Sequence, residues 1–207
     1  MDADALPTGV LLAAGAARRF GGGKLLARLP DGTPVGAAAC RTLVGVLPDV
    51  VAVVRPGDDE LAAALASAGA RIVVCPRAED GMGASLACGV SATPGAAGWI
   101  VALADMPWIR PQTVAAVAQA IREGASIAAP FLGDERGHPT GFARAHAGHL
   151  VSLTGDQGAR ALVAGAGDSL VRIVVEDPGV LRDVDAPADL AAGGASSSGP
   201  PSRRPTA

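Results

Sequence analysis

Apolar residues in this chain fall into short β-branched runs separated by alanine-rich stretches of helical length. Residues 10–13, 50–54, 72–75, 99–103, 127–129 and 171–175 read as strands, with Pro130 ending the fifth. Helices are predicted over 36–44, 59–67, 83–89, 111–122 and 156–164, with a last helical turn at 187–191. Punctuation residues support these limits. Asp58 stands where an N-cap belongs and Gly69 ends that helix, while Pro111 suits a first turn that Gly124 eventually stops. Alternating strands and helices imply a mostly parallel sheet covered on both faces. Ligands on such sheets gather beyond the carboxyl ends of the strands. The loop beginning at Gly15 and the turn at Asp105 both follow strands, so they are expected to face one crevice.

Composition narrows the class. At 207 residues, 49% hydrophobic and 18% charged, the chain suffices for one α/β domain with a sizeable core. With two Trp, three Phe and no Tyr, that core must be built from Ala, Val, Leu and Ile. Net charge is −3 without a basic block, which argues against a nucleic-acid surface. Cys40, Cys75 and Cys88 are widely spaced without a CxxC pattern and read as reduced packing thiols. The acidic residues Asp2 and Asp4 make a poor signal peptide, and no apolar run reaches about 18 residues. The expectation is a cytoplasmic, monomeric enzyme with one domain over 1–192. Residues 193–207, rich in Ser, Gly, Pro and Arg without periodicity, read as a disordered tail.

The segment from Gly9 to Lys24 carries the strongest chemical signal. An apolar run ends in a small-residue turn, followed by Arg18, Arg19, three glycines and Lys24. Backbone amides from Gly15 onward can approach an anion, with Arg19 and Lys24 adding positive charge. No Ser or Thr follows Lys24, so this is not the common P-loop, and the glycine spacing is not the dinucleotide fingerprint.

Carboxylates supply the second signal. Asp105 ends an apolar strand, where a buried charge needs a partner. It reads either as a ligand to a divalent cation held near phosphates or as a cap or loop ion pair. Asp183 and Asp185 alternate around Val184, which points both to one side. Asp185 either completes a metal site or caps the turn before Pro187.

Gly81, Met82, Gly83, Ala84 and Ser85 place small residues at a predicted helix start, where free amides suit a base edge or an anion. Asp80 either caps that helix or faces ligand, and Ser85 is a hydrogen-bond donor. Residues 137–142 form a dense turn-like segment in which His138 contacts a second substrate or bonds to backbone. Arg160, one turn into its predicted helix, either pairs with Asp156 or meets an anionic substrate. His146 and His149 lack zinc-ligand spacing. One of Trp99 and Trp108 is expected in the core and the other over the cleft.

Taken together, six segments resemble the nucleotidyltransferases that mature molybdenum cofactor. They are Leu12-Ala13-Ala14-Gly15 with Arg19, Gly21 and Lys24, then Gly81-Met82-Gly83-Ala84-Ser85-Leu86, Leu103-Ala104-Asp105-Met106-Pro107, Gly137-His138-Pro139, residues 155–160 and Asp183-Val184-Asp185-Ala186-Pro187. The resemblance spans about residues 8–192, and the order and spacing of the segments carry it. Ala14 leans toward the cytidylyl branch, where the guanylyl branch has a second glycine. Ala16, Ala17 and Ala84 stand at family serine positions, and Thr140 where valine is common.

The resemblance implies a three-layer, Rossmann-like nucleotidyltransferase fold with a mixed, mostly parallel sheet. It implies transfer of CMP from CTP to the terminal phosphate of molybdopterin, with Mg²⁺ or Mn²⁺ and release of pyrophosphate. On that reading Leu12, Ala13, Ala14, Gly15, Arg19 and Lys24 hold the triphosphate. Asp105 and Asp185 hold metal, with Asp183 as reserve. Asp80, Gly81 and Ser85 read base or ribose, and His138 and Arg160 face the acceptor. Molybdenum hydroxylases are the implied recipients of the product. Competing readings are GTP or a sugar phosphate as substrate, a related NAD(P)H-dependent oxidoreductase, and a non-catalytic assembly module.

Overall fold

The computed structural model describes residues 6–15, 20 and 22–191. Eight strands form one sheet: β1 (Thr8–Leu12), β2 (Val50–Val54), β3 (Arg71–Val74), β4 (Gly98–Leu103), β5 (Ile127–Leu132), β6 (Glu135–Arg136), β7 (Thr140–Ala143) and β8 (Leu170–Val174). Their order is β3-β2-β1-β4-β7-β5-β6, with β8 also paired to β5. The β1–β2, β2–β3, β1–β4 and β5–β8 pairs are parallel. Those of β7 with β4 and β5, and of β6 with β5, are antiparallel. The sheet is therefore mixed and mostly parallel.

Among the described residues seven α-helices accompany it: α1 (Val35–Val44), α2 (Asp59–Ser67), α3 (Met82–Ser91), α4 (Pro111–Arg122), α5 (Ala147–Val151), α6 (Arg160–Gly165) and α7 (Pro187–Ala191). Strand periodicity decides how they are layered. Leu11, Ala52, Ile100 and Ala102 point to one face, where Val35, Cys40 and Leu43 of α1, Leu65 of α2 and Val117 of α4 cover them. Val10, Val51, Val53 and Val101 point to the other, under Leu86 and Val90 of α3, Leu150 of α5 and Val163 of α6. Both faces are dry, so β1, β2 and β4 are apolar without alternation. Trp99 lies in the second core and donates its indole N–H to Thr93 Oγ1 at 2.8 Å. Trp108 packs against the first core, with the Arg182 guanidinium 3.9 Å above its ring.

Four expectations are corrected. β5 does not end at Pro130 but continues to Leu132. The Pro130 carbonyl accepts from Gly137 N–H, so Pro130 faces the side where pairing to β7 ends at Ala128 and pairing to β6 begins at Phe131. Its missing N–H falls in that gap and costs no ladder bond. The helix expected from 156 begins at Arg160, because Gly158 at φ 52° interrupts right-handed winding. The turn expected over 137–142 is a turn followed by strand β7. Asp58 sits at the α2 N-cap, but its carboxylate bonds Arg55 Nε at 3.1 Å and makes no cap bond. The other expected elements start and stop within two residues of expectation, while α5 and β6 were not anticipated.

Cys40 and Cys75 are buried and Cys88 is half-buried. Burial, reinforced at Cys88 by the Cys75 thiol, pushes Cys40 up and Cys88 up to about 11, so both stay protonated packing groups. No helix among the described residues is long and apolar enough to cross a membrane. Arg19 and residues 193–207 lie outside the described residues.

Candidate active site

The carboxyl ends of β1 and β4 lie side by side, because the two strands pair in parallel from Thr8↔Trp99 to Leu12↔Leu103. Gly15 and the Asp105 turn therefore open onto one crevice. It is a cleft of about 820 Å³ lined by Leu12, Ala14, Gly15, Glu79, Ser85 and Asp105, among others. Ala13 points the other way into the first core, as strand alternation requires. Glu79, rather than Asp80, stands in the cleft wall. Asp80 does not cap α3 either, since the N-cap is Gly81 with no side-chain bond.

Lys24 opens a short 3₁₀ turn and folds back across the end of the sheet. Its Nζ lies 2.7 Å from Asp105 Oδ2 and 3.9 Å from Asp185 Oδ1. Residues 177–185 carry the second carboxylate group into place. Asp177 is buried and its Oδ2 accepts from Arg110 N–H at 2.8 Å and Thr113 Oγ1 at 2.7 Å, while Oδ1 accepts from Gly179 N–H at 3.0 Å. Gly179 presses on the Trp108 carbonyl, which a Cβ would meet at 2.1 Å. Val180 O accepts from His138 N–H at 2.9 Å, and Val184 N–H donates to Asp105 O at 2.9 Å. This strap thus touches both the Asp105 turn and the His138 loop. Val184 is buried while Asp183 and Asp185 stay exposed, as alternation predicted. The start of α7 is held by Asp189, whose Oδ2 accepts from the N–H groups of Asp185 and Ala186.

Although Asp183 is exposed, partial desolvation by the surrounding strap, and then the Asp185 and Asp105 charges, raise it above the usual carboxylate range. Three carboxylates thus share one nearby ammonium, a charge excess that suits a divalent cation. Among the described residues no three His, Cys, Asp or Glu form a closed cage. Mg²⁺ needs none, since one or two carboxylates plus substrate phosphates normally hold it. Asp105 and Asp185, which already converge on one cationic point, fit that demand.

The start of α3 departs from expectation. Its amides are not all free, because Gly83 N–H donates to Gly155 O at 2.8 Å. Gly83 permits this contact, as a Cβ there would meet Thr154 O at 2.6 Å. The 154–156 loop is thereby docked beside Ser85, whose Oγ donates to Gly81 O at 3.4 Å.

A second cavity of about 350 Å³ adjoins the cleft and shares Leu12, Met82, Leu103 and Asp156 with it. It contains His138 and Arg160, and also Arg136, which sequence patterning did not single out. Only a lone arginine next to a turn marked it. His138 Nδ1 is enclosed without a hydrogen-bond partner among the described residues. Burial first, then Arg136 and Arg160, push its pKa down to about 4, with Asp105 pulling the other way. His138 is therefore neutral at pH 7.

An acid-stability prediction follows from this histidine. Above pH 6.5 it is neutral folded or unfolded, and its contribution is fully present. As pH falls from 6.5 toward 4, the unfolded chain takes up a proton that the folded chain refuses, so stability is lost. At pH 5 the loss is about 2 kcal/mol. Urea midpoints at pH 7 and pH 5 should therefore differ less in His138→Gln than in the wild type. Equal shifts would place the acid sensitivity elsewhere.

Residues 9–172 match the MobA-like NTP transferase domain family. No curated protein matches the chain. Among solved structures, Rv0371c from Mycobacterium tuberculosis H37Rv is 29% identical with a TM-score of 0.78, covering 89% of this chain and 95% of that one. Its homolog from Mycobacterium sp. strain JC1 is 30% identical with a TM-score of 0.76, covering 90% and 96%. A complex of the tuberculosis protein with manganese is 27% identical with a TM-score of 0.72, covering 88% and 94%. Since the family match runs from β1 into β8 and so takes in both cavities, the chain belongs to the MobA-like NTP transferases and is a nucleotidyltransferase.

Proposed function

We propose that the protein transfers CMP from CTP to the terminal phosphate of molybdenum cofactor, releasing pyrophosphate in a Mg²⁺-dependent reaction. The observation that carries this reading is the convergence of Asp105 and Asp185 on Lys24, at a cleft that adjoins a second cavity bearing arginines. One volume suits a nucleoside triphosphate and the other a phosphorylated acceptor. Ala14 in the Leu12–Gly15 turn favours CTP through the cytidylyl-branch resemblance. The manganese complex of the tuberculosis relative supports a divalent metal.

In this reaction an oxygen of the acceptor phosphate forms a bond to the α-phosphorus of CTP. The bond from that phosphorus to the bridging oxygen of the β-phosphate breaks, and pyrophosphate leaves with the electron pair. The attacking phosphate is already ionised, so alignment and charge neutralisation matter more than a general base. A bound divalent metal supplies neutralisation of the phosphate oxygens. Asp105 and Asp185 would hold it, with Asp183 in reserve. Lys24 meets the charge that grows at the α-phosphate, and Arg19 with the first-loop amides holds the triphosphate. Gly81 and Ser85 border the base, and His138 and Arg160 face the acceptor. Molybdenum hydroxylases would receive the product.

Pyrophosphate release tests this with molybdenum cofactor and Mg²⁺, comparing CTP, GTP and ATP and identifying the product by mass spectrometry. Turnover with CTP and a cytidine dinucleotide product is expected. Preference for GTP would reassign the base. No turnover with any nucleotide, alongside a positive-control enzyme on the same acceptor, would overturn the reading.

A further inference from the structure

We infer that Arg136 selects the acceptor, gripping it with Arg160 through a doubly charged phosphomonoester in the 350 Å³ cavity. The inference rests on the nucleotidyl-transfer reading and adds to it the residue that recognises the second substrate. The cavity has an apolar floor that includes Leu86, Val101 and Phe142, while Arg136 and Arg160 are its cations and His138, Thr140, Gln157 and Asp156 complete its polar lining. Arg136 comes from the two-residue strand β6, and Arg160 opens α6. Only tertiary folding brings the two together.

Arg55, Arg71, Arg110 and Arg172 each lie within 4.0 Å of an aspartate. Among the described residues neither Arg136 nor Arg160 has an ion pair. The one polar side-chain bond of Arg136 is from Nη1 to Thr140 Oγ1 at 3.4 Å. Partial burial and then the neighbouring Arg160 charge hold the Arg136 guanidinium below its ordinary range, as expected of two like charges lining one cavity. Two guanidiniums over an apolar floor cost free energy that a dianion offsets, and a phosphate matches the guanidinium fork in geometry.

Neighbouring groups fix the charge and the direction. His138 is neutral, so the pocket offers two positive charges rather than three. The cavity meets the cleft of the carboxylate centre at Leu12, Leu103 and Asp156, which line both. Asp156 lines the same cavity and disfavours a ligand with negative charge spread beyond its phosphate. The apolar floor suits a flat ring system better than a sugar, whose hydroxyls would lose water there without partners.

Titration calorimetry with phenyl phosphate, a simple aryl phosphomonoester, and separately with CTP tests the inference on wild type, Arg136→Lys and Arg136→Ala. Phenyl phosphate should bind Arg136→Ala about 10- to 100-fold more weakly, with Arg136→Lys between, and CTP affinity should be unchanged. Phenol should not bind measurably. Binding should tighten from pH 5.5 to 7.5 as the phosphomonoester takes its second charge at about pH 6, a range in which His138 stays neutral. In turnover, the acceptor KM should rise with little change in kcat. Equal phenyl phosphate affinity in wild type and Arg136→Ala, no saturable binding to wild type, or an equal loss of CTP affinity would overturn it. Because these titrations need no turnover, Arg136-dependent binding would uphold the subsite even if the cytidylyl-transfer assay failed.

Discussion

Lys24→Ala should lower kcat/KM for CTP about 100- to 1,000-fold while leaving the protein folded. The side chain is mostly buried, yet its contacts are all at the functional end of the sheet, with Nζ 2.7 Å from Asp105 and 3.9 Å from Asp185. Removing it takes away the cation that meets charge at the α-phosphate, and loss of one such group in a dry site typically costs that factor. It also leaves Asp105, Asp183 and Asp185 facing one another, which raises Asp183 further above its usual range. The Lys24→Arg variant should stay impaired although it keeps the charge, because a planar fork cannot replace a compact ammonium between two carboxylates. Steady-state pyrophosphate release, with Mn²⁺ affinity followed by calorimetry, checks the prediction. Activity of Lys24→Ala close to that of the wild type would remove Lys24 from the reaction centre.

Asp177→Ala should destabilise the fold by about 3–5 kcal/mol and lower Tm by roughly 10 °C. The substitution orphans three donors at once: the N–H groups of Arg110 and Gly179 and the Thr113 hydroxyl. The buried site admits little water to replace the lost acceptor. Asp177→Asn retains the shape but offers one oxygen instead of two and should lose less. The consequence reaches function because Asp177 anchors the strap that delivers Asp183 and Asp185 and supports the His138 backbone. Chemical denaturation measures the stability, and Mn²⁺ affinity of the folded fraction measures the strap. An unchanged unfolding midpoint would show that the three bonds are dispensable.

Much of the fold was legible because its physical causes are local. The buried strands announce themselves as uninterrupted apolar runs, and Pro111 and Gly124 bracket α4 where they should. What failed was also local in appearance but not in cause. Pro130 reads as a strand end, yet it is tolerated where one neighbouring strand stops and another begins. Strands β6 and β7 are short, and β7 contains Gly141 and no alternation, so pairing with β4 and β5 rather than propensity makes them strands. Asp156 reads as a helix start, but its carboxylate faces the cavities because Gly158 delays the helix.

By itself the sequence determined which runs form most of the strands and helices, and that Lys24 and Asp105 end up beyond strand termini. Those properties follow from periodicity, turn chemistry and the cost of burying a charge, all of which act over a few residues. Val74 and Val174, by contrast, stay exposed in strands that read as buried. Tertiary structure alone decided that Lys24 meets Asp105 and Asp185, across 81 residues in the first case. It also decided that the Gly83 amide is used by Gly155, and that Arg136 and Arg160 line one cavity. Such encounters depend on the order of strands in the sheet and on where the 177–185 strap docks. No local pattern encodes that order, because it is set by which distant surfaces bury one another best.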